Sequence, residues 1–399
     1  MPDEVGRLVL TDNYYQSLAL DIATHRPLYV LDGQQRLIQS LEAQGRLKRA
    51  IEFLPTDDEI ARRKARKVGL TAPEGAVVLA YAKMSVFDEL VASNLPDDPY
   101  FSQALKAYFP QALSERFADA IAAHPLKREI IATYVTNNVV NRTGATFVNF
   151  VASESGATAA DVIRAFTLAR EVFDLEPLWD QIDALDYKVD AKLQLDLLAK
   201  LNAIAQRASR WMLRVRGHST DLPTLIGRYQ PVARELRANL AEWLPPSANE
   251  NWQTAAAALV AADVEPSLAQ NLTALEFIFP ALDLADLATQ AQTSLEQAAR
   301  TYFDVDAELG LSEWRTQINR LPTDTLWQTQ ARASARDDVY SIAGQVTQGL
   351  LTRKEEVAVW RATHEATIHR LCRLLVDIGT MGADLAPVSV GLRELRQLA

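Results

Sequence analysis

Cysteine occurs once in 399 residues, at Cys372, which excludes an internal disulfide and a multi-cysteine zinc site. Glycine is scarce, at 15 residues, and none of the patterns that cradle phosphate or present a nucleophile is present. There is no G-x-G-x-x-G turn, no G-x-x-x-x-G-K-[ST] loop and no G-x-S-x-G elbow. No apolar run approaches the roughly 20 residues needed to cross a bilayer. The start, "MPDEVGRLVLTDNYY", lacks the charged-then-apolar plan of a signal peptide, so a cytoplasmic chain is expected. In that compartment the Asn-x-Thr matches at Asn141 and Asn271 carry no glycan. Long acidic blocks are missing too. A formal charge of −10 spread along the chain excludes the basic face that nucleic acid requires, and no membrane partner is expected.

What remains is apolar, alanine- and leucine-rich sequence punctuated by Pro and Gly, with no alternating β-branched runs. The fold expected is all-α, a multi-helix array of two domains or one extended stack. Thr56 with Glu59, and Thr71 with Glu74, have the spacing of capping boxes. Between them, "DDEIARRKARKVG" puts acids at the positive end of a helix and bases at its negative end, with Gly69 at the left-handed cap. The one basic cluster thereby reads as a self-complementary surface helix, in preference to a nucleic-acid patch. A following helix from Ala72 to about Asn94 carries Val78, Tyr81, Ala82, Ser85 and Val86 on one core-facing stripe, and "NLPDDPYF" breaks it.

A faint repeat lies further on. "TAADVIRAFTLAREVFDLEPLWDQIDAL", from Thr158, aligns without a gap to "SLEQAARTYFDVDAELGLSEWRTQINRL", from Ser294. Arg164, Leu175, Gln181, Ile182 and Leu185 meet identical residues, Phe166 meets Tyr302, and Thr158 and Ser294 are both N-caps. With a third helix each, these make two three-helix units, at about 149–216 and 285–352, consistent with an internal duplication. Coincidence between two amphipathic pairs is the competing reading. The organisation expected is an N-terminal helical part over 1–148 and a C-terminal helical region over 149–399. The latter closes on a terminal helix at about 353–379, ended by Gly379.

Chemistry is sparse. "HEATIH" nearly spells a zinc motif, but His364 and His369 are five apart, about 140° around a helix, and cannot converge on one metal. Cys372 beside an apolar stripe reads as a buried, inert thiol. The segment "REIIATYVTNNVVNRTGATFVN" mixes apolar periodicity with amides: Ile131, Tyr134, Val135, Asn138, Val139 and Arg142 share a stripe. With no base or nucleophile beside them, Asn138, Asn141 and Arg142 read as a structural polar network at a helix junction, in preference to a ligand site.

Blocks along the whole chain resemble a known family. "LTDNYYQSLAL", "RLIQSLEAQGRLKRAIEFLPTDDEIARRKARKVGLTAPEGAVVLAYAKM", "YFPQALSERFADAI", "LKREIIATYVTNNVVNRTGATFV", "AREVFDLEPLWDQIDALD" and "ARASARDDVYSI" are similar, in order, to the large bacterial NAD-dependent glutamate dehydrogenases. Gly75 departs from the pattern, where a larger apolar residue is expected. The resemblance implies a C-terminal helical region that follows the catalytic domain. The catalytic and NAD-binding residues then lie upstream, with no cofactor held by this chain and NAD serving the intact enzyme. It also implies partners, either the catalytic dehydrogenase domain of the same polypeptide or other subunits of a homo-oligomer. The chain alone is expected to be inactive. Val9, Tyr14, Leu18 and Leu20 of the first helix are the expected docking face, exposed or covered by a second copy. A free-standing helical scaffold that binds proteins is the alternative.

Overall fold

A computed structural model describes residues 2–217, 221–323, 325–382 and 384–399. Among them there are 23 α-helices and no strand, so the chain is all-α. It divides into two compact units, Met1–Ile226 and Gly227–Ala399. This differs from a boundary at 148/149. The helices after residue 149 pack on those before it, so the first three-helix segment belongs to the first unit.

In the first unit, α1 (Pro2–His25) lies against α4 (Ala72–Ala92), α5 (Lys127–Thr143) and α9 (Ala191–Arg216). The core beside α2 (Pro27–Ala43) and α3 (Asp57–Ala65) is aliphatic, with Leu31, Leu37, Ile38, Leu41, Ile60 and Val78 buried. Thr71 starts α4 with a complete capping box, worth about 1 kcal/mol, and Leu20 of α1 fills the space beside Gly75. At α3 only half the box forms. Thr56 accepts from the Glu59 amide, whereas the Glu59 carboxylate turns to Arg62 and Arg63. Nor does Gly69 cap this helix. The left-handed residue is Lys67, two positions earlier, because α3 ends at Ala65. Of the basic cluster, Arg63 forks onto Glu74 and Lys64 reaches Asp32.

The three-helix segment of this unit is α7 (Ala159–Val172), α8 (Leu175–Asp183) and α9, preceded by α6 (Phe147–Ser155). The second unit contains α10 (Pro266–Ile278), then α11 (Leu295–Glu308), α12 (Leu311–Asn319) and α13 (Leu326–Arg353). Both segments run through a 14-residue helix, a short left-handed link (Asp174, φ 50; Gly310, φ 61), a 9-residue helix and a long third helix. Phe166 and Tyr302 are both fully buried, as are Trp179 and Trp314. Their surroundings differ: Phe166 stacks on Trp179, and Tyr302 meets Phe303 edge-on.

The C-terminal end corrects three expectations. Helix α14 spans Val357–Met381 and runs through Gly379; the left-handed residue that ends it is Gly382. A further helix, α15 (Leu385–Leu395), follows and seats Gly391 against the Trp314 ring. Cys372 is exposed, because it lies one residue past the buried Leu371 and so on the solvent side of α14.

Candidate functional site

Helix α5 carries the polar residues singled out in the sequence, and the structure distributes them over three places. Gly144, at φ 86, ends the helix with its amide donating to the Val140 carbonyl. Arg142, in the last turn, is 9% exposed, and its Nη1 donates to Asp183 Oδ2 of α8 at 2.7 Å. Asp180, one turn earlier on α8, stands 3.7 Å away. The guanidinium lies over the Tyr15 ring of α1 at 4.1 Å and faces Trp179 at 5.4 Å. Two aromatic faces and a carboxylate thus hold one cation at the junction of α1, α5 and α8, with each cation–π contact contributing about 0.5–2 kcal/mol.

This junction perturbs the groups around it. Burial pushes the Asp183 carboxyl up from 3.8, and Arg142 only partly offsets that. Burial likewise raises the Tyr15 phenol against the pull of Arg142, and raises Tyr14 with Asp186 and Asp183 beside it. On the α1–α4 side, burial brings Lys83 down to about 8, with Asp12 opposing the shift.

Asn141 is buried, and its Oδ1 has no hydrogen-bond partner. Asn138 is only half-buried and points to a separate place. With Tyr134 it lines a cleft of about 480 Å³ walled by the short helix Ser102–Tyr108, α7 and the start of α8. Arg170, clasped by Glu171 at 2.6 Å, and Tyr100, pushed up to about 12 by burial and Glu171, line the same cleft. The three residues therefore do not form one network. Residues 138 and 141 lie only about 60° apart around a helix, so the difference in their surroundings comes from the neighbouring helices and not from the turn of α5. Asp183 and Tyr15, which complete the Arg142 site, were not singled out. Their signal was present as the i, i+3 acid pair in "DQID" and the doubled tyrosine of "NYY".

The expected docking face of α1 also divides. At about 100° per residue, Tyr14 and Leu18 share one side of the helix, while Val9 and Leu20 lie on the other. Tyr14, Leu18 and Leu20 are half-buried against helices of their own unit; Val9 is 54% exposed. The outward apolar surface of α1 is instead Val5, Val9 and Leu10, the last 70% exposed.

Among the described residues no group of three or more His, Cys, Asp or Glu could hold a metal, and no helix is long and apolar enough to cross a membrane. His364 of α14 bonds the Trp360 carbonyl one turn back through Nδ1.

These features define a helical region built from packed amphipathic helices and buried ion pairs. The family described as "Glutamate dehydrogenase, C-terminal" matches residues 67–397, and the chain belongs to it. Curated relatives are the NAD-specific glutamate dehydrogenases of Pseudomonas aeruginosa and Halomonas elongata, each 35% identical over 407 aligned residues, and that of Mycobacterium tuberculosis, 30% identical over 406. Each alignment covers all of this chain and 25% of the relative, so the chain spans about a quarter of their length.

Proposed function

We propose that the chain is a non-catalytic helical region of a large NAD-dependent glutamate dehydrogenase, supporting its assembly or regulation in the cytoplasm. The intact polypeptide would convert L-glutamate, NAD and water to 2-oxoglutarate, ammonia and NADH. The observation that carries this reading is coverage. The whole chain aligns to a quarter of NAD-specific enzymes, yet its sequence holds no glycine turn feeding a helix N-terminus, which a dinucleotide site needs. NAD binding and catalysis then fall to other parts of the polypeptide.

The partner is the catalytic domain of the same polypeptide or another subunit. Val5, Val9 and Leu10 supply the apolar surface, and the Tyr15–Arg142–Trp179 stack anchors the same helix to its own unit. The three-helix plan is read as occurring twice, on the matched helix lengths and left-handed links. Deleting this region from the full enzyme, with assembly followed by light scattering and NAD binding by calorimetry, is the test. Altered assembly with nucleotide binding retained is the expected result; a truncated enzyme with native assembly and full activity overturns the reading.

A further inference from the structure

Thr273 of α10, 6% exposed, turns its hydroxyl back to the Ala269 carbonyl at 2.8 Å, the usual way a threonine inside a helix is satisfied. Thr167 of α7 is 3% exposed, and no hydrogen bond among the described residues engages its hydroxyl. Yet its oxygen is not cut off from solvent, as those of the equally buried Thr136 and Thr347 are. It lines the cleft of about 480 Å³ onto which Asn138 and Tyr134 also open. That volume is within the range of small-molecule sites, about 300–1,000 Å³. A hydroxyl left unpaired in so buried a residue calls for a partner from outside the chain.

The charged groups of this cleft already answer one another. Arg170 donates through Nε and Nη2 to Glu171 at 3.1 and 2.6 Å, and Glu176 stands 3.9 Å from the same guanidinium. No charge on a ligand is called for. What is left uncommitted is neutral: Thr167, Asn138, Tyr134 and Gln103 line the cleft without a hydrogen bond to another described residue. Each of these hydroxyls and amides can both donate and accept. Tyr100 and Phe101, packed edge to face at 5.5 Å, add aromatic wall beside the Tyr134 ring. Hydroxyl groups that donate and accept in turn, carried on a ring with C–H faces, match such a lining.

We propose that this cleft binds a neutral sugar or a similar cyclic polyol. Its hydroxyls exchange hydrogen bonds with Thr167 and Asn138, and its C–H face lies against the tyrosine rings. A flat amide would use the rings but offers too few groups for the hydroxyls and amides of the wall. No residue of α1 lines the cleft, so this inference and the docking of that helix succeed or fail separately.

D-glucose titrated into the whole chain, followed by saturation-transfer NMR, tests it, with cyclohexanol and benzamide as controls. Glucose should bind in the millimolar range, as befits so small a molecule, and each control at least about tenfold more weakly. Thr167→Val keeps the shape of the side chain and should weaken glucose binding about fivefold; Asn138→Ala, at a half-buried position, should weaken it about tenfold. Circular-dichroism melts report the fold of each variant, and Asn138→Ala decides if Thr167→Val does not fold. Absence of glucose binding, a control that binds as tightly as glucose, or unaltered affinity in Asn138→Ala overturns the proposal.

Discussion

The two three-helix segments share a backbone plan and differ in what they bury. Arg164 on α7 and Arg300 on α11 occupy matching positions, yet their side chains are 5% and 45% exposed. Arg164 donates to Asn94 at 2.8 Å and lies within 4 Å of Asp98 and Asp161, all inside the first unit. Arg300 instead lies along its helix to Glu296 and reaches the Glu242 carbonyl. In the second segment the buried arginine is Arg315, on the second helix, opposite Asp306. Caps and left-handed links can hold the helix plan while the buried charge moves from one helix to another. Ion-pair placement is therefore a local matter of which neighbour offers a carboxylate, and the backbone does not dictate it.

Substituting the matched arginines is the strongest way to break that comparison. Arg164→Ala should lower stability by about 3 kcal/mol, because it leaves partly buried acids without their cation and removes packing. Arg300→Ala should cost less than about 1 kcal/mol, as exposed pairs contribute little. Arg315→Ala should resemble Arg164→Ala and not its neighbour on α11. Chemical denaturation of the three variants reads all of this. Similar losses for Arg164→Ala and Arg300→Ala would mean that exposure is a poor guide to the energetics here.

Gly391→Ala should come next, at about 1–3 kcal/mol, as an overpacking defect confined to the second unit. A Cβ at this position would run into the fully buried Trp314 ring, a rigid group with nowhere to turn. Trp314 fluorescence should shift with the lost stability. If the variant melts like the parent, α15 does not hold the ring as described.

Much of the helix plan was legible because capping chemistry is local. Thr71 with Glu74 and Thr158 with Asp161 form complete boxes, and Ser294 accepts from the Gln297 amide at 3.2 Å. What was not legible depends on distant partners. Arg142 meets an acid 41 residues away, Asn138 opens onto a cleft, and Cys372 faces solvent by a shift of one residue on its helix. The end of α14 was misplaced for a related reason. Gly379 sits near Gln317 with its helix intact, so a glycine alone does not end a helix unless the chain beyond it turns away.

Glycine also gives the finest comparison, between a link and a helix interior of the same segment. Gly310 holds the left-handed link between α11 and α12 at φ 61, where Asp174 stands in the first segment. An L-residue there pays about 1–2 kcal/mol for its Cβ, so Gly310→Ala should destabilise by roughly that amount even though the nearest atom, Leu375 Cδ1, is 3.6 Å from the new carbon. Gly344 lies within α13, where nothing stands within 4 Å of an added Cβ. Gly344→Ala should stabilise by about 0.5–1 kcal/mol, since alanine restricts the unfolded chain and favours the helix. The two substitutions add the same methyl group to the same segment and should move the melting temperature in opposite directions. Shifts of the same sign would show that packing, and not backbone conformation, sets the cost at these two positions.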